Sequence, residues 1–461
     1  MTPAHIRRLL SRFERLRKAT ETEVYMDEDE WETLLEYLYE NDELEQAQQA
    51  IDLATARYAY APDLWLLRAK IYLELQNTTE ALAALQTVQL YRKTENIELH
   101  TLFADAYMQQ RDYAAALQHL HTAIGFAKED AELGEIYLSI ANIYEEQNNY
   151  TKAFDALRLA ALHLSDNDEV WGRLHTATQL SGRYADSVEV HTRLTDAYPF
   201  SCLAWYNLAE AHAALGANEA AIIAYEYAMV NDEGFTRAYR GLAKIYTAEY
   251  LYEKAIETLY KAIEENPIDA DLLVDLGDNY KALAQTEMAK QYYHQAIKAE
   301  PQAHVAYFRL GEIFMDTQQW QSAITMLDAA VTRQSNRADY WAALAEAYTR
   351  TANDVAAENA YRQALRLTPE DADTWLLYAN FLMQAERPKE AIDVIEEAES
   401  FAQSLLFAYA KTAALFLAHK RQAALQTLAF ALQEHYDGHH YLLDILPHLV
   451  KDSAVVALLI R

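Results

Sequence analysis

The chain has 461 residues, 70 acidic and 39 basic, with a net charge of −31 and a single cysteine, Cys202. That charge argues against nucleic-acid binding, which needs a basic stripe to meet phosphates, and one cysteine leaves no intrachain disulfide. No apolar run approaches the roughly 20 residues that span a bilayer, and the start of the chain lacks the unbroken apolar core of a secretory signal, so the cytoplasm is the expected compartment.

Residues 1–26 place Ile6, Leu9, Leu10, Phe13 and Leu16 on one helical face, with Arg7, Arg8, Arg12, Arg15, Arg17 and Lys18 around it. This basic amphipathic helix reads as a cap on the rest of the chain; contact with a membrane surface and a targeting presequence are its other readings. The acidic run Asp27, Glu28, Asp29, Glu30 is expected to begin the next helix, where negative charge suits the N-terminal dipole. From there a period takes over. Trp31 and Trp65 are 34 residues apart, and the same interval links Trp171, Trp205, Tyr239, Leu273, Tyr307, Trp341 and Trp375 without a break. Such a rhythm marks one supersecondary unit stacked repeatedly.

The unit near Asp271 shows what is being stacked. Leu273, Leu276, Gly277 and Tyr280 fall on one face of a first helix, and Ala289, Tyr293 and Ala296 on one face of a second. Pro301 ends the second helix, as Pro199, Pro267 and Pro369 do at the same phase in other units. The small residues are expected where two helix backbones approach, with the tyrosines filling the space beside them. Trp205, Leu208, Ala209, Ala221, Tyr225 and Ala228 repeat the pattern, as do Trp341, Leu344, Ala345, Tyr348, Ala357, Tyr361 and Ala364.

An aromatic, a Leu-Gly pair, a Tyr, then Ala, aromatic, Ala and Pro at these spacings resemble the tetratricopeptide repeat. Twelve units over 27–434 are counted, with Arg68 and Lys411 standing in place of Leu, and Thr178 and His212 in place of Tyr. The resemblance implies an all-α superhelical solenoid of helical hairpins, with residues 435–461 as a C-terminal cap. It also implies that the first helix of each unit lines a groove for a protein or peptide. Two rows would face that groove. In the first lie Leu66, Leu138, Tyr206, Val274, Phe308 and Leu376, expected either to form pockets for a partner or to pack against adjacent first helices. In the second lie Glu210, Asp278, Glu312 and Glu346, the last three consecutive in the array and expected to steer a basic segment. The rows lack the Lys, Asn and Arg set that grips a C-terminal carboxylate, and only Asn207 falls in the row of an asparagine ladder.

No glycine-rich phosphate loop, HExxH, nucleophile elbow or paired-cysteine knuckle occurs. His435, His439, His440 and His448 cluster near the end, but their spacing does not make a metal site. The acid pairs Asp269/Asp271 and Asp371/Asp373 are expected to cap helices. The sequence therefore predicts a non-catalytic scaffold without cofactor or metal, binding a protein or basic peptide and neither nucleic acid nor a small-molecule substrate. A membrane-surface adaptor using the N-terminal helix, or a regulatory subunit of an enzyme, is the alternative.

Overall fold

A computed structural model describes residues 3–18, 25–91, 96–164, 167–265 and 269–460. Pro267 lies outside them. The described residues form α-helices with two short 3-10 turns and no strand, which is the all-α repeat fold expected from the period. The chain divides into two compact units, Met1–Asp232 and Glu233–Arg461, at a boundary that no linker composition announces.

In Met1–Asp232 the helix Pro3–Arg17 precedes six hairpins, from Glu28–Glu40 with Leu44–Arg57 to Cys202–Ala214 with Asn218–Asn231. In Glu233–Arg461 six more run from Thr236–Ala248 with Tyr252–Glu265 to Phe407–Leu417 with Arg421–Glu434, and short helices close the chain. Each first helix ends in the same way. One residue takes a left-handed conformation: Asp42, Gln76, Arg111, Asn148, Gly182, Gly216, Tyr250, Ala284, Gln318, Ala352, Glu386 and His419. Except after Gly182, the next amide then reaches back five residues, as in Asn77 to Tyr72, Gln285 to Tyr280 and Asn353 to Tyr348. That bond satisfies an orphan carbonyl and turns the chain sharply into the second helix. Only two of these positions are glycine, so most carry the penalty of a side chain in left-handed geometry.

Packing depends on the small residues. A Cβ on Gly277 would lie 2.4 Å from the ring of Tyr293, and Ala289, Tyr293 and Ala296 are fully enclosed. The indoles of Trp65, Trp205, Trp341 and Trp375 each donate to the carbonyl six residues earlier, at 2.8–2.9 Å. They thus fasten the turn that enters their own hairpin. Trp31 and Trp171, by contrast, are buried with no partner for the indole nitrogen among the described residues. The departures from pattern are also built in. Arg68 sits 2.9 Å from Asp52 and donates to Thr55 at 2.8 Å, Lys411 meets Glu396 at 3.0 Å, and Thr178 bonds Ser187 at 3.2 Å.

Both ends are covered. Ile6, Leu9 and Phe13 are buried, Phe13 against the edge of Trp31 at 6.2 Å, and Arg12 pairs with Glu30. The apolar face of this helix is therefore occupied by the first hairpin rather than left for a bilayer. At the other end Leu442, Leu446, Leu449 and Val455 join the core of the last hairpins, Arg421 grips Asp452, and the latter's carboxyl falls to about 2, chiefly through the Arg421 hydrogen bond. Val450, beside them in sequence, is exposed. Asp27, Asp269 and Asp371 cap helices as expected.

The turn geometry can be tested directly. A side chain added at Gly216 would meet nothing within 4 Å, so Gly216→Ala probes backbone geometry alone. It should cost about 0.5–1 kcal/mol, and Ala284→Gly should gain a similar amount, read from urea midpoints.

A second test concerns His191, which is wholly buried with neither ring nitrogen bonded. Burial, with His175 adding, pushes its pKa down to about 3. The unfolded chain then takes up a proton near pH 6.5 that the folded chain refuses, so this contribution is full above 6.5 and is lost as pH falls towards 3, by about 1.4 kcal/mol per unit. Between pH 7.5 and 5, His191→Phe should lose clearly less stability than the parent; parallel curves would refute the assignment.

Candidate functional site

First helices of successive hairpins touch one another within each unit, as Glu28–Glu40 does with Pro62–Glu74, and Ala270–Ala282 with His304–Asp316. In each unit they form an inner face, and the candidate residues of that unit lie along it. The rows behave differently.

The first row is largely consumed by packing between neighbouring hairpins. Leu66, Val274 and Leu376 are only 5–6 % exposed and belong to apolar cores, so they offer no pocket wall to a partner. Leu138, Tyr206 and Phe308 are half-buried. Phe308 stacks on Tyr340 of the next first helix at 4.4 Å, and Tyr206 lies 5.7 Å from His175 of the preceding one. Arg240, at the same phase, bonds Asp275 and Asp271 of the following helix at 2.7 and 2.8 Å. A residue directly after the aromatic position points along the stack, where the adjacent first helix is the nearest surface.

The second row faces outward more. Glu36, Asp105, Asn142, Thr176 and Lys244 are exposed. Its acidic members in Glu233–Arg461 are, however, spoken for. Asp278 accepts the hydroxyl of buried Tyr293 at 2.7 Å, and Glu210 in the other unit accepts that of Tyr225. Burial and then these carboxylates raise both phenols above their usual range, so each stays a neutral donor. Arg309 lies 3.1 Å from Asp278 and 3.0 Å from Glu312, Lys281 lies 3.4 Å from Glu312, and Arg350 lies 3.6 Å from Glu346. The strip expected to be bare negative charge is a compensated network.

Each unit carries a cavity on this face. In Met1–Asp232 one of about 480 Å3 is lined by Tyr39, Lys70, Leu73, Glu74, Leu102, Asp105, Met108 and Asn142, among others. In Glu233–Arg461 one of about 350 Å3 is lined by Arg240, Lys244, Thr247, Asp275, Asp278 and Asn279. Tyr39, Leu73, Glu74 and Met108 form a third row that reasoning from the sequence missed. They lie three or four residues beyond the second row, the one-turn spacing that keeps side chains on a common face. In the first cavity the enclosing hairpins, with Glu74 adding, raise the carboxyl of Asp105 to about 6 even though its side chain stays open to solvent, while Lys70 is held by Glu98 at 2.6 Å.

Near the end of the chain, His439 bonds the carbonyl of Tyr436 at 2.7 Å. Among the described residues no group of three or more His, Cys, Asp or Glu could hold a metal ion. Nor is any helix among them long and apolar enough to cross a membrane.

The chain is similar to known proteins. The TPR repeat-containing protein YpiA of Bacillus subtilis is 23 % identical over 366 residues, covering 78 % of this chain and 84 % of that one. The human protein O-mannosyl-transferase TMTC1 is 24 % identical over 173 residues, which are 37 % of this chain and only 20 % of that protein. Among solved structures, yeast Tom70 superposes with a TM-score of 0.45 at 14 % identity, covering 97 % of this chain and 96 % of its own. One family model for the tetratricopeptide repeat matches residues 187–444 and another matches 33–93 and 101–169; the chain belongs to the tetratricopeptide repeat family.

Proposed function

We propose that this protein is a non-catalytic scaffold, placed in the cytoplasm, that holds an extended segment of a partner protein along the inner face of its first helices. Proteins of this fold generally serve protein–protein interaction. The observation that carries the reading is the cavity on the inner face of each unit, lined by the exposed second row and by the row one turn beyond it. Such a surface is pre-formed. Its helices are fixed by hairpin packing on the opposite side, so a partner segment bears most of the ordering cost and the scaffold little. The polar rims supply hydrogen bonds to a partner backbone, and the apolar floors accept alternate side chains.

Tyr206 and Phe308 are poor probes, because both are packed against neighbouring helices and charging them would damage the array. Thr176 in the first unit and Lys244 in the second are each exposed on the inner face of their own unit. Affinity capture from a lysate of the source organism, with mass spectrometry, should return partners whose recovery falls at least about tenfold with Thr176→Arg combined with Lys244→Glu. The melting temperature should stay within about 2 °C, as surface changes rarely alter stability much. Undiminished recovery would remove the inner face as the binding surface.

A further inference from the structure

The inner face of Met1–Asp232 contains a carboxylate that has been given no cation. Asp105, on the helix Ile97–Gln109, borders the cavity of about 480 Å3, and among the described residues it has neither an ion pair nor a hydrogen bond from a side chain. Lys70, the cavity's own cation, is turned to Glu98 at 2.6 Å. Among the described residues Glu74, the second carboxylate of the lining, receives only the phenol of Tyr39 at 3.2 Å. The remaining wall combines the apolar Leu73, Leu102 and Met108 with the polar Gln109, Ser139 and Asn142.

We propose that this cavity receives an arginine or lysine side chain of the bound segment, its methylenes lying on Leu73, Leu102 and Met108 and its cation meeting Asp105 and Glu74. The inference rests on the inner-face reading under Proposed function and adds the chemistry of one subsite. Long cationic side chains suit such a lining, since their stems favour apolar surface and their heads favour charge. Two carboxylates from neighbouring helices also offer charge-assisted bonds on two sides, which a guanidinium exploits best. The surrounding hairpins and then Glu74 hold the Asp105 carboxyl up at about 6 although its side chain stays open to solvent, and a bound cation would lower it. The strip Asp278, Glu312 and Glu346 has no such vacancy, because Arg309, Lys281 and Arg350 already lie against it.

Selection of a random dodecapeptide display library on the full-length chain provides the probes. Each recovered peptide is synthesised with a fluorophore, together with a version in which its arginine or lysine is replaced by citrulline or norleucine. Binding is measured by anisotropy. The expected result is a shared cationic position whose neutralisation weakens binding to the parent about tenfold or more. Asp105→Asn with Glu74→Gln should weaken the charged peptide by a similar factor and leave the neutral version unchanged. These substitutions conserve shape and remove a poorly compensated charge, and an unaltered melting temperature confirms folding. Peptides that lose binding with Thr176→Arg and Lys244→Glu yet ignore Asp105→Asn with Glu74→Gln would overturn the cation subsite while leaving the inner-face reading intact. Recovery of no peptide, or of peptides indifferent to both sets of substitutions, would overturn both.

Discussion

Each hairpin turns on one small side chain. Ala47, Ala81, Ala116, Ala153, Ala221, Ala255, Ala289, Ala323, Ala357, Ala391 and Ala424 are all completely enclosed, at the point where the second helix meets the first. Ser187 takes the place in the remaining hairpin and is 1 % exposed. A methyl group lets two helix backbones come close, and a larger side chain there would force them apart at a cost of about 1–3 kcal/mol. The bulk displaced from the crossing is placed beside it, by Tyr225, Tyr293 and Tyr361. With the separation fixed in this way, each hairpin is a nearly rigid wedge, and stacking wedges of equal shape yields a regular array.

That geometry decides which residues are free to do anything else. The second helix and its alanine row claim one side of every first helix. The next first helix claims the side where Phe308 meets Tyr340 and where Arg240 meets Asp275. What is left is a strip about one helical turn wide, carrying the second row and its neighbours three and four residues on. Even there the fold makes demands. A buried tyrosine needs a partner for its hydroxyl, and Glu210 and Asp278 supply it from fifteen residues upstream. Acidic residues on the inner face are thus of three kinds: those that anchor a tyrosine of the same hairpin, those paired with a cation as Glu312 and Glu346 are, and those with neither task.

Much of this was legible in the sequence, and the reasons for the remainder are specific. A 34-residue interval between Trp171, Trp205 and their successors fixes paired helices without ambiguity, because only a repeated packing need produces it. The turns are harder to read, since Gln76, Arg111 and Ala284 adopt left-handed geometry without the glycine that would signal it. The candidate groove was partly misplaced for a different reason. Spacing along one helix tells which side chains share a face, but not whether the next helix covers that face. Leu66, Val274 and Leu376 were therefore as plausible for a pocket as for a core until the stack was seen to bury them. Similarly, a run of Asp278, Glu312 and Glu346 looks negative when equivalent positions are aligned. The cations that balance it, Arg309, Lys281 and Arg350, stand at other phases of the repeat.

The compensation of that run bears on where recognition by charge can be productive. A ligand cation approaching Asp278 or Glu312 must displace Arg309 or Lys281 and exchange one ion pair for another, a swap worth little at a half-exposed site. At Asp105 nothing has to be displaced. The carboxylate stays open to solvent at the cavity, so a cation can reach it without breaking an ion pair already made. In a chain whose net charge is −31, most acidic residues attract cations weakly and alike through long-range field, which salt screens. Discrimination between one basic segment and another has to come from a place where shape, apolar contact and unanswered charge coincide, and the inner face of Met1–Asp232 provides that coincidence at Asp105.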